Sequence, residues 1–329
     1  MKLRAKATIL SSWKSTTHQW RDVIAELNKT GIILNYVKRG EVIKKEMYGF
    51  SNLVDVGMNI PDEVKLNPTR DHFGLKFRIR SGEIYLLLTL GENPLIFDIK
   101  EFENFIDSIF MAILDGKKAM LQFARSKGGA INMDSKWDEA MIRIVSAGGK
   151  RDAFIVQGKK VISLFRDLED MEIEEVELGE KTVKALKLTH NYKSESVTSY
   201  LYIPSRKLTL FLIRYILLHG PESRELMEKI ADEFGEIKRD IEEELQRELK
   251  ELMKISPEKQ QILLALYSGI NPLEIHQFLG IREEDVERIY DEMIDEGLLK
   301  IVMIRKIVDL TMDGRKIVNK LIKLGNMEM

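Results

Sequence analysis

Short segments with apolar side chains at alternate positions dominate the first two thirds of the chain, and this pattern predicts β strands. Ser81-Gly82 separates two of them, and glycine tolerates the backbone dihedral angles of a tight hairpin turn. The apolar spacing then changes to three and four residues over Ile99–Leu114, which predicts a helix that stops before Gly116. The first group of predicted strands is Lys6–Leu10, Trp20–Leu27, Gly31–Tyr36, Glu41–Met47, Leu53–Met58, Gly74–Arg80 and Glu83–Leu90.

This order of elements occurs a second time further along the chain. Trp137 follows Trp20 by 117 residues, and Val161-Ile162 follows Val42-Ile43 by 119. A second hairpin and a closing helix, Ser205–His219, complete the second copy. A repeat at domain scale indicates two modules of one fold. We interpret them as tandem pleckstrin-homology-like split β-barrels, each closed by a helix, over residues 1–115 and 116–220.

A long amphipathic helix is predicted over Glu222–Lys254, within a connecting region of residues 221–255. Its apolar stripe needs a partner, and two arrangements satisfy that need. The helix folds back onto its own barrels, or it pairs with a second copy of the chain. We favour the homodimer, with a dimerisation edge formed by Ile237, Ile241, Leu245, Leu249 and Leu252.

Residues 256–329 have the order of elements of a winged helix-turn-helix domain. Ser256-Pro257 is typical of a helix start, with serine as the N-cap. Two further helices, a two-stranded wing and a final helix follow. These elements are predicted over Glu258–Ser268, Pro272–Leu279, Arg282–Glu296, Leu298–Val302, Arg305–Leu310 and Met312–Leu324. The fold class expected for the whole chain is therefore α+β.

Composition narrows the classes of function. The chain has 329 residues and a net charge of −2, so no overall charge attracts it to nucleic acid or to an acidic membrane. It contains no cysteine, which excludes disulfides and thiolate chemistry. The five histidines are scattered, without the spacing of a metal site. We expect a cytoplasmic protein that is not an enzyme, with no membrane insertion, no cofactor, no metal and no catalytic residues.

The third helix of the last domain separates two functional classes. A DNA-reading helix faces phosphates and is therefore rich in lysine and arginine. The stretch Arg282–Glu296 instead carries eight acidic residues against Arg282 and Arg288. We therefore favour a winged helix that docks a protein, with no nucleic acid as partner. A transcription regulator with tandem β sensor modules is the alternative.

Lysine and arginine also flank a β turn in the first module, at Lys38-Arg39 and Lys44-Lys45. Related barrels sometimes bind phosphoinositides at such a place, and a lipid-binding scaffold is the third candidate. Lysines also protect an exposed strand edge from unwanted pairing, and we favour this second interpretation.

The arrangement resembles the archaeal taxis adaptor family CheF. The resemblance is carried by the paired segments that begin at Trp20 and Trp137, by residues 31–57 and 151–178, and by the residues SRKLTLFLIRYILLHGP before the long helix. It implies a non-enzymatic adaptor that links the phosphorylated response regulator CheY to accessory proteins at the cytoplasmic base of the archaellum motor. It also implies association with CheC and CheD proteins, and docking of CheY on the C-terminal part.

Surface chemistry then suggests where CheY binds. Such a surface should mix exposed apolar groups with charge. Met303 and Ile304 are the most informative pair, because apolar residues at a wing tip have no obvious core to enter. Tyr290 and Ile294 are equally well explained as core residues of the winged helix. The candidate CheY-binding residues are Arg288, Tyr290, Asp291, Ile294, Met303, Ile304 and Arg305.

Overall fold

The chain folds into two compact units, Met1–Ile241 and Glu242–Met329. The computed structural model describes residues 1–14, 18–79, 82–91, 94–127, 130–132, 134–147, 150–220, 223, 226–232, 234–235, 237–239, 243, 254–303 and 307–325. No helix within these ranges is long and apolar enough to cross a membrane.

The first unit begins with a seven-stranded antiparallel sheet whose strand order is β4-β3-β2-β1-β7-β6-β5. Helix α1, Ile96–Leu114, follows the sheet in the chain. The strands are β1 (Lys2–Leu10), β2 (Arg21–Leu27), β3 (Gly31–Lys38), β4 (Glu41–Gly49), β5 (Leu53–Val56), β6 (His72–Ile79) and β7 (Gly82–Thr89).

A second sheet repeats this order as β12-β11-β10-β8-β15-β14-β13, and the short β9 pairs with β8 outside that path. Helix α2, Arg206–His219, follows the second sheet in the chain, as α1 follows the first. The repeat in the sequence therefore corresponds to a repeat of topology. The strands are β8 (Lys118–Lys127), β9 (Ala130–Ile131), β10 (Trp137–Ala147), β11 (Lys150–Gln157), β12 (Lys160–Ser163), β13 (Leu168–Leu178), β14 (Lys181–Tyr192) and β15 (Glu195–Tyr202).

Both sheets are open, which corrects the prediction of split β-barrels. In the described residues the end strands β4 and β5 each have one hydrogen-bonded neighbour, and β12 and β13 end the second sheet in the same way. The chain passes from β4 to β5 through a 3-10 turn, Phe50–Asn52, and these two strands do not pair with each other.

The two helices join the halves of this unit into one core. Helix α1 contacts β1 and β2 of the first sheet as well as β10 of the second, and α2 contacts α1, β5 and β11. The ring of Phe110 lies 5.0 Å from that of Tyr215 and 6.2 Å from that of Phe73. All three side chains are almost completely buried. Because a single apolar cluster includes residues of both sheets, the halves form one folded body.

Two buried aspartates strengthen this junction, each with an arginine from the other half. Asp55 on β5 accepts from Nη2 of Arg214 on α2, at 3.2 and 3.3 Å. Asp107 on α1 accepts from Nε of Arg151 on β11 at 2.8 Å. A buried carboxylate must be paired to be stable, so these bonds couple the two sheets to the two helices.

The second unit has its own apolar core. Its order is helix α3, a 3-10 turn, helices α4 and α5, the antiparallel strands β16 and β17, and helix α6. As expected, Ser256 caps α3, because its Oγ accepts from the amide of Lys259. The elements are α3 (Pro257–Tyr267), the turn Pro272–Glu274, α4 (Ile275–Leu279), α5 (Glu283–Asp295), β16 (Leu299–Met303), β17 (Ile307–Leu310) and α6 (Met312–Gly325).

Candidate functional site

His190 is a buried support of the fold, whereas His72 and His219 are half-buried. His190 Nε2 lies 2.9 Å from Ser199 Oγ, which accepts from the amide of Ala124. Both His190 and Ser199 are fully buried, so a substrate has no access to this pair. No group of three metal-ligating side chains occurs in the described part of the chain. His190 and Ser199 therefore do not form a site that a substrate could reach.

Burial makes the stability of the first unit depend on pH. Burial lowers the pKa of His72, His190 and His219 below the ordinary value of 6.5. The unfolded chain therefore takes up protons before the folded chain does, and stability is lost as the pH falls from about 6.5. We expect a loss of about 1 kcal/mol per pH unit for each histidine until its folded-state pKa is reached. Chemical denaturation followed by tryptophan fluorescence measures this, because Trp13, Trp20 and Trp137 all lie in the first unit.

A variant comparison assigns this effect to these histidines. Above pH 5 the His219→Gln variant should show a shallower loss of stability than the parent protein. The His276→Gln variant, altered in the second unit, should show the parental slope. A stability that is constant or rises as the pH falls from 7 to 5 would contradict the assignment.

The predicted CheY-binding residues of α5 separate into surface and core. Arg288 and Asp291 are exposed, and Arg288 donates to Glu292 at 2.7 Å. Tyr290 is buried and donates to the carbonyl oxygen of Pro272 at 2.8 Å. Ile294 is half-buried against the core of the unit. The two charged members on α5, Arg288 and Asp291, are thus at the surface, while Tyr290 has a structural partner.

The predicted wing-tip residues are only partly described. Met303 ends β16, and its backbone pairs with Ile307 of β17. Ile304 and Arg305 lie outside the described residues. Their role in CheY binding stays a prediction.

Part of the acidic run on α5 supports the fold. Glu283, Glu284 and Asp285 occupy the first turn, where negative charge stabilises a helix. Near the other end of the helix, Glu292 and Glu296 lie 2.9 and 2.8 Å from Nζ of Lys259 on α3. Hydrogen bonds to Lys259 lower the pKa of Glu292. The acidic character of this helix therefore does not by itself identify a binding surface.

Sequence reasoning missed four exposed apolar side chains on α3, the following 3-10 turn and α4. Leu264 and Tyr267 on α3 are 37% and 44% exposed, Leu273 in the 3-10 turn is 52% exposed, and Phe278 on α4 is 65% exposed. We call these four residues the apolar surface of the second unit. The sequence did contain one sign of this exposed surface. Leu264 and Tyr267 lie three residues apart on α3 and are not among its buried residues, which are Ile262, Leu263 and Ala265. We therefore take these four exposed side chains as candidates for an interaction site.

The stripe predicted for dimerisation begins as part of the first unit. Described residues between 226 and 243 are helical, and Leu226, Ile230, Phe234 and Ile237 are buried in the core of that unit. Ile237, at 7% exposure, therefore has partners within its own chain. Ile241, Leu245, Leu249 and Leu252 lie outside the described residues, so dimerisation through them stays a prediction.

Polar contacts hold the described helical residues between 226 and 243 against both halves of the first unit. Lys229 donates to Asp170 at 2.8 Å and to Glu172 at 2.7 Å, both on β13. Lys238 Nζ lies 3.5 Å from the Asp55 carboxylate. The Arg214 guanidinium lies 4.1 Å from the ring centroid of Phe234, within the range of a cation–π contact. The fold-back arrangement therefore applies to the described beginning of the connecting region.

Comparison with known proteins gives the family. Residues 18–219, more than half of the chain, match the model of archaeal chemotaxis signal transduction system protein F. Residues 254–323 match a domain family of unknown function. Taxis protein CheF1 of Halobacterium salinarum is 23% identical over 243 residues, which cover 74% of this chain and 71% of that protein. The resemblance seen in the sequence is thereby confirmed: the chain belongs to the family of archaeal chemotaxis signal transduction system protein F.

Proposed function

We propose that this protein is a non-enzymatic adaptor that links the phosphorylated response regulator CheY to the archaellum motor. The family places the chain in archaeal chemotaxis signalling. The observation that carries the adaptor role is the apolar surface of the second unit: Leu264, Tyr267, Leu273 and Phe278. Exposed apolar side chains with Arg288 and Asp291 in the same unit form the mixture typical of a protein interface.

The assignment of domains belongs to the same proposal. We infer that residues 1–115 and 116–220 are pleckstrin-homology-like modules and that 256–329 is a winged helix. A path of seven antiparallel strands followed by one helix, twice in the same order, with β9 added to the second sheet, supports the first inference. Three helical segments followed by a two-stranded hairpin support the second. The connecting region 221–255 then joins the sheets to the docking unit and contributes Ile241, Leu245, Leu249 and Leu252 to a homodimer.

The partners divide between the two units in this proposal. The second unit binds CheY, and the predicted tip residues Met303, Ile304 and Arg305 extend its surface. The first unit then contacts the accessory proteins at the motor base, at the cytoplasmic face of the membrane, and CheC and CheD proteins associate with the same assembly. A truncated chain that ends at His219 should keep the contact with the motor proteins. Loss of that contact in a folded truncated chain would contradict this division.

Calorimetric titration with the cognate CheY tests the adaptor role. We expect activation of CheY by beryllofluoride, which stands in for the phosphoryl group, to strengthen binding at least about tenfold, or about 1.4 kcal/mol. Deletion of residues 256–329 should abolish binding. Because the first unit has its own core, tryptophan fluorescence verifies that the truncated chain is folded.

Two results would contradict the proposal. Equal affinity for active and inactive CheY would exclude a phosphorylation-dependent adaptor. Absence of binding in both states, with salt-sensitive binding to duplex DNA, would favour the transcription regulator, although the carboxylates of α5 oppose contact with phosphates.

A further inference from the structure

A pocket of about 540 Å³ opens at one end of the first sheet, where β1 to β4 lie side by side. It belongs to the core-facing side of the sheet, as the register of the strands shows. Ala5, Val23 and Tyr36 pair across the sheet, and Lys44 pairs with Tyr36. The first three are buried, so Lys44 continues a core-facing row. Clefts of this kind are the usual places where proteins bind small molecules.

The change from apolar to polar side chains along this face makes the pocket. Leu3, Ala25 and Leu34 form a buried row, and Glu46 pairs with Leu34 at its end. Towards the opening, β1 presents Ala7, which pairs with Arg21. The short alanine side chain leaves room beside the long guanidinium. The pocket is therefore lined by Ala7, Thr8 and Ile9 along β1, and by polar side chains along β2 to β4.

Among the described residues that line the pocket, the one carboxylate, Glu46, is already engaged. Oε2 of Glu46 accepts from the hydroxyl of Tyr36 at 2.6 Å and from that of Tyr48 at 2.8 Å. Oε1 of Glu46 lies 2.5 Å from Nζ of Lys44. Burial opposes ionisation of Glu46, but the hydrogen bonds from Lys44, Tyr36 and Tyr48 lower its pKa. Glu46 therefore stays ionised and offsets the charge of Lys44, with little capacity to bind a further cation.

Donors remain available for a ligand. Arg21 is exposed, and its described bond, from Nη2 to Gln19 Oε1, is long at 3.4 Å. A guanidinium has five N–H donors, and an ammonium has three. His18, which also lines the pocket, has a buried Nδ1 without a hydrogen-bond partner in the described residues. Arg21, Lys44 and His18 thus line the pocket, and its carboxylate, Glu46, is already paired with Lys44.

We propose that this pocket binds a phosphate group through the guanidinium of Arg21 and the ammonium of Lys44. Arginine matches the geometry of a phosphate with two parallel N–H···O bonds, and lysine adds a point charge. The volume is larger than one phosphate needs, so the group is carried by a larger molecule. A soluble phosphorylated metabolite and a phospholipid headgroup share this chemistry. The proposal does not depend on the role in taxis.

Titration of the full chain with inorganic phosphate tests the proposal, at constant ionic strength with chloride as the balancing anion. Arg21→Gln should weaken phosphate binding at least about tenfold, because it removes both the positive charge and the two parallel N–H···O bonds of the guanidinium. Glu46→Gln should strengthen binding several-fold, because it removes a negative charge beside the ligand. Arg4→Gln is the matched control, since Arg4 pairs with Ile24 on the opposite face of the same two strands and is exposed.

Vesicles that contain phosphatidylglycerol distinguish the two sources of phosphate. Phosphate binding without vesicle binding indicates a soluble ligand, and vesicle binding that Arg21→Gln abolishes indicates a headgroup. Phosphate also stabilises folded proteins in general, because it is excluded from their surface. Only a difference in phosphate binding between the parent protein and a variant therefore supports the proposal. The proposal is wrong if the parent protein and Arg21→Gln bind phosphate equally. It is also wrong if Glu46→Gln, folded by tryptophan fluorescence, weakens the binding.

Discussion

Aspartate in place of Phe278 should weaken binding of activated CheY at least about 30-fold, or about 2 kcal/mol. Phe278 is the most exposed of the four residues in the apolar surface, at 65%. Aromatic side chains that become buried at the centre of an interface contribute most of the binding free energy. A carboxylate there would lose that apolar contact and would be desolvated without a partner. Calorimetric titration with beryllofluoride-activated CheY measures the change.

The control for this prediction is Met312→Asp. Met312 is 78% exposed at the start of α6, in the same unit, so the control introduces the same charge at an equally accessible apolar position. Circular dichroism should give the parental melting temperature for both variants, since neither side chain is in the core. If Phe278→Asp binds activated CheY with unchanged affinity, or if Met312→Asp loses as much affinity, the apolar surface is not part of the proposed CheY contact.

The strands and helices could be predicted because each depends on nearby residues. Alternation locates the strand, and the turn glycine locates the hairpin between β6 and β7. The start of α1 shows the limit of this approach. The predicted helix begins at Ile99, whereas α1 begins at Ile96, because Asp98 Oδ2 accepts from the amide of Leu95 and caps the helix. The exposed apolar residues of that first turn break the pattern on which the prediction relied.

The union of the two halves could not be predicted from the sequence. Alternation predicts which face of a strand is buried, but does not indicate which element covers it. Asp55 and Arg214 are 159 residues apart in the chain, and Asp107 and Arg151 are 44 apart. Nothing in the neighbours of these residues indicates that they meet. The repeat therefore predicted two similar sheets, but did not predict that they share one core.

The sequence also did not predict which aromatic side chains of the second unit are exposed. Tyr290 and Phe278 are both aromatic residues on predicted helices of the same domain. Tyr290 is buried because it reaches the carbonyl of Pro272, whereas Phe278 lies on the short helix α4 and points away from the core. The difference depends on the angle between helices, which apolar spacing does not determine. Apolar spacing alone therefore did not identify the exposed apolar residues of the second unit.

The Asp107 cluster should give the largest loss of stability in the first unit. Asp107 is 1% exposed, and its Oδ2 accepts from Arg151 Nε at 2.8 Å and from the hydroxyl of Ser146 at 2.7 Å. His219 Nε2 lies 3.4 Å from Oδ1. Asp107→Ala should lower the free energy of unfolding by about 3 kcal/mol, because it leaves the guanidinium and the hydroxyl without their acceptor. Glu103, 2.9 Å from Arg151, keeps the loss at the lower end of the range for buried pairs.

Denaturation followed by tryptophan fluorescence measures this loss, and Glu101→Ala on the exposed face of α1 is the control, with an expected change within about 0.5 kcal/mol. A double-mutant cycle then tests the cause. If Asp107 and Arg151 stabilise the unit as a pair, the double alanine variant should lose clearly less than the sum of the single losses. Additive losses would mean that Asp107 acts independently of Arg151, through Ser146 and packing. The junction between the halves would then depend on Asp55 with Arg214 and on the apolar contacts of Phe110 and Tyr215, without a contribution from the pair of Asp107 and Arg151.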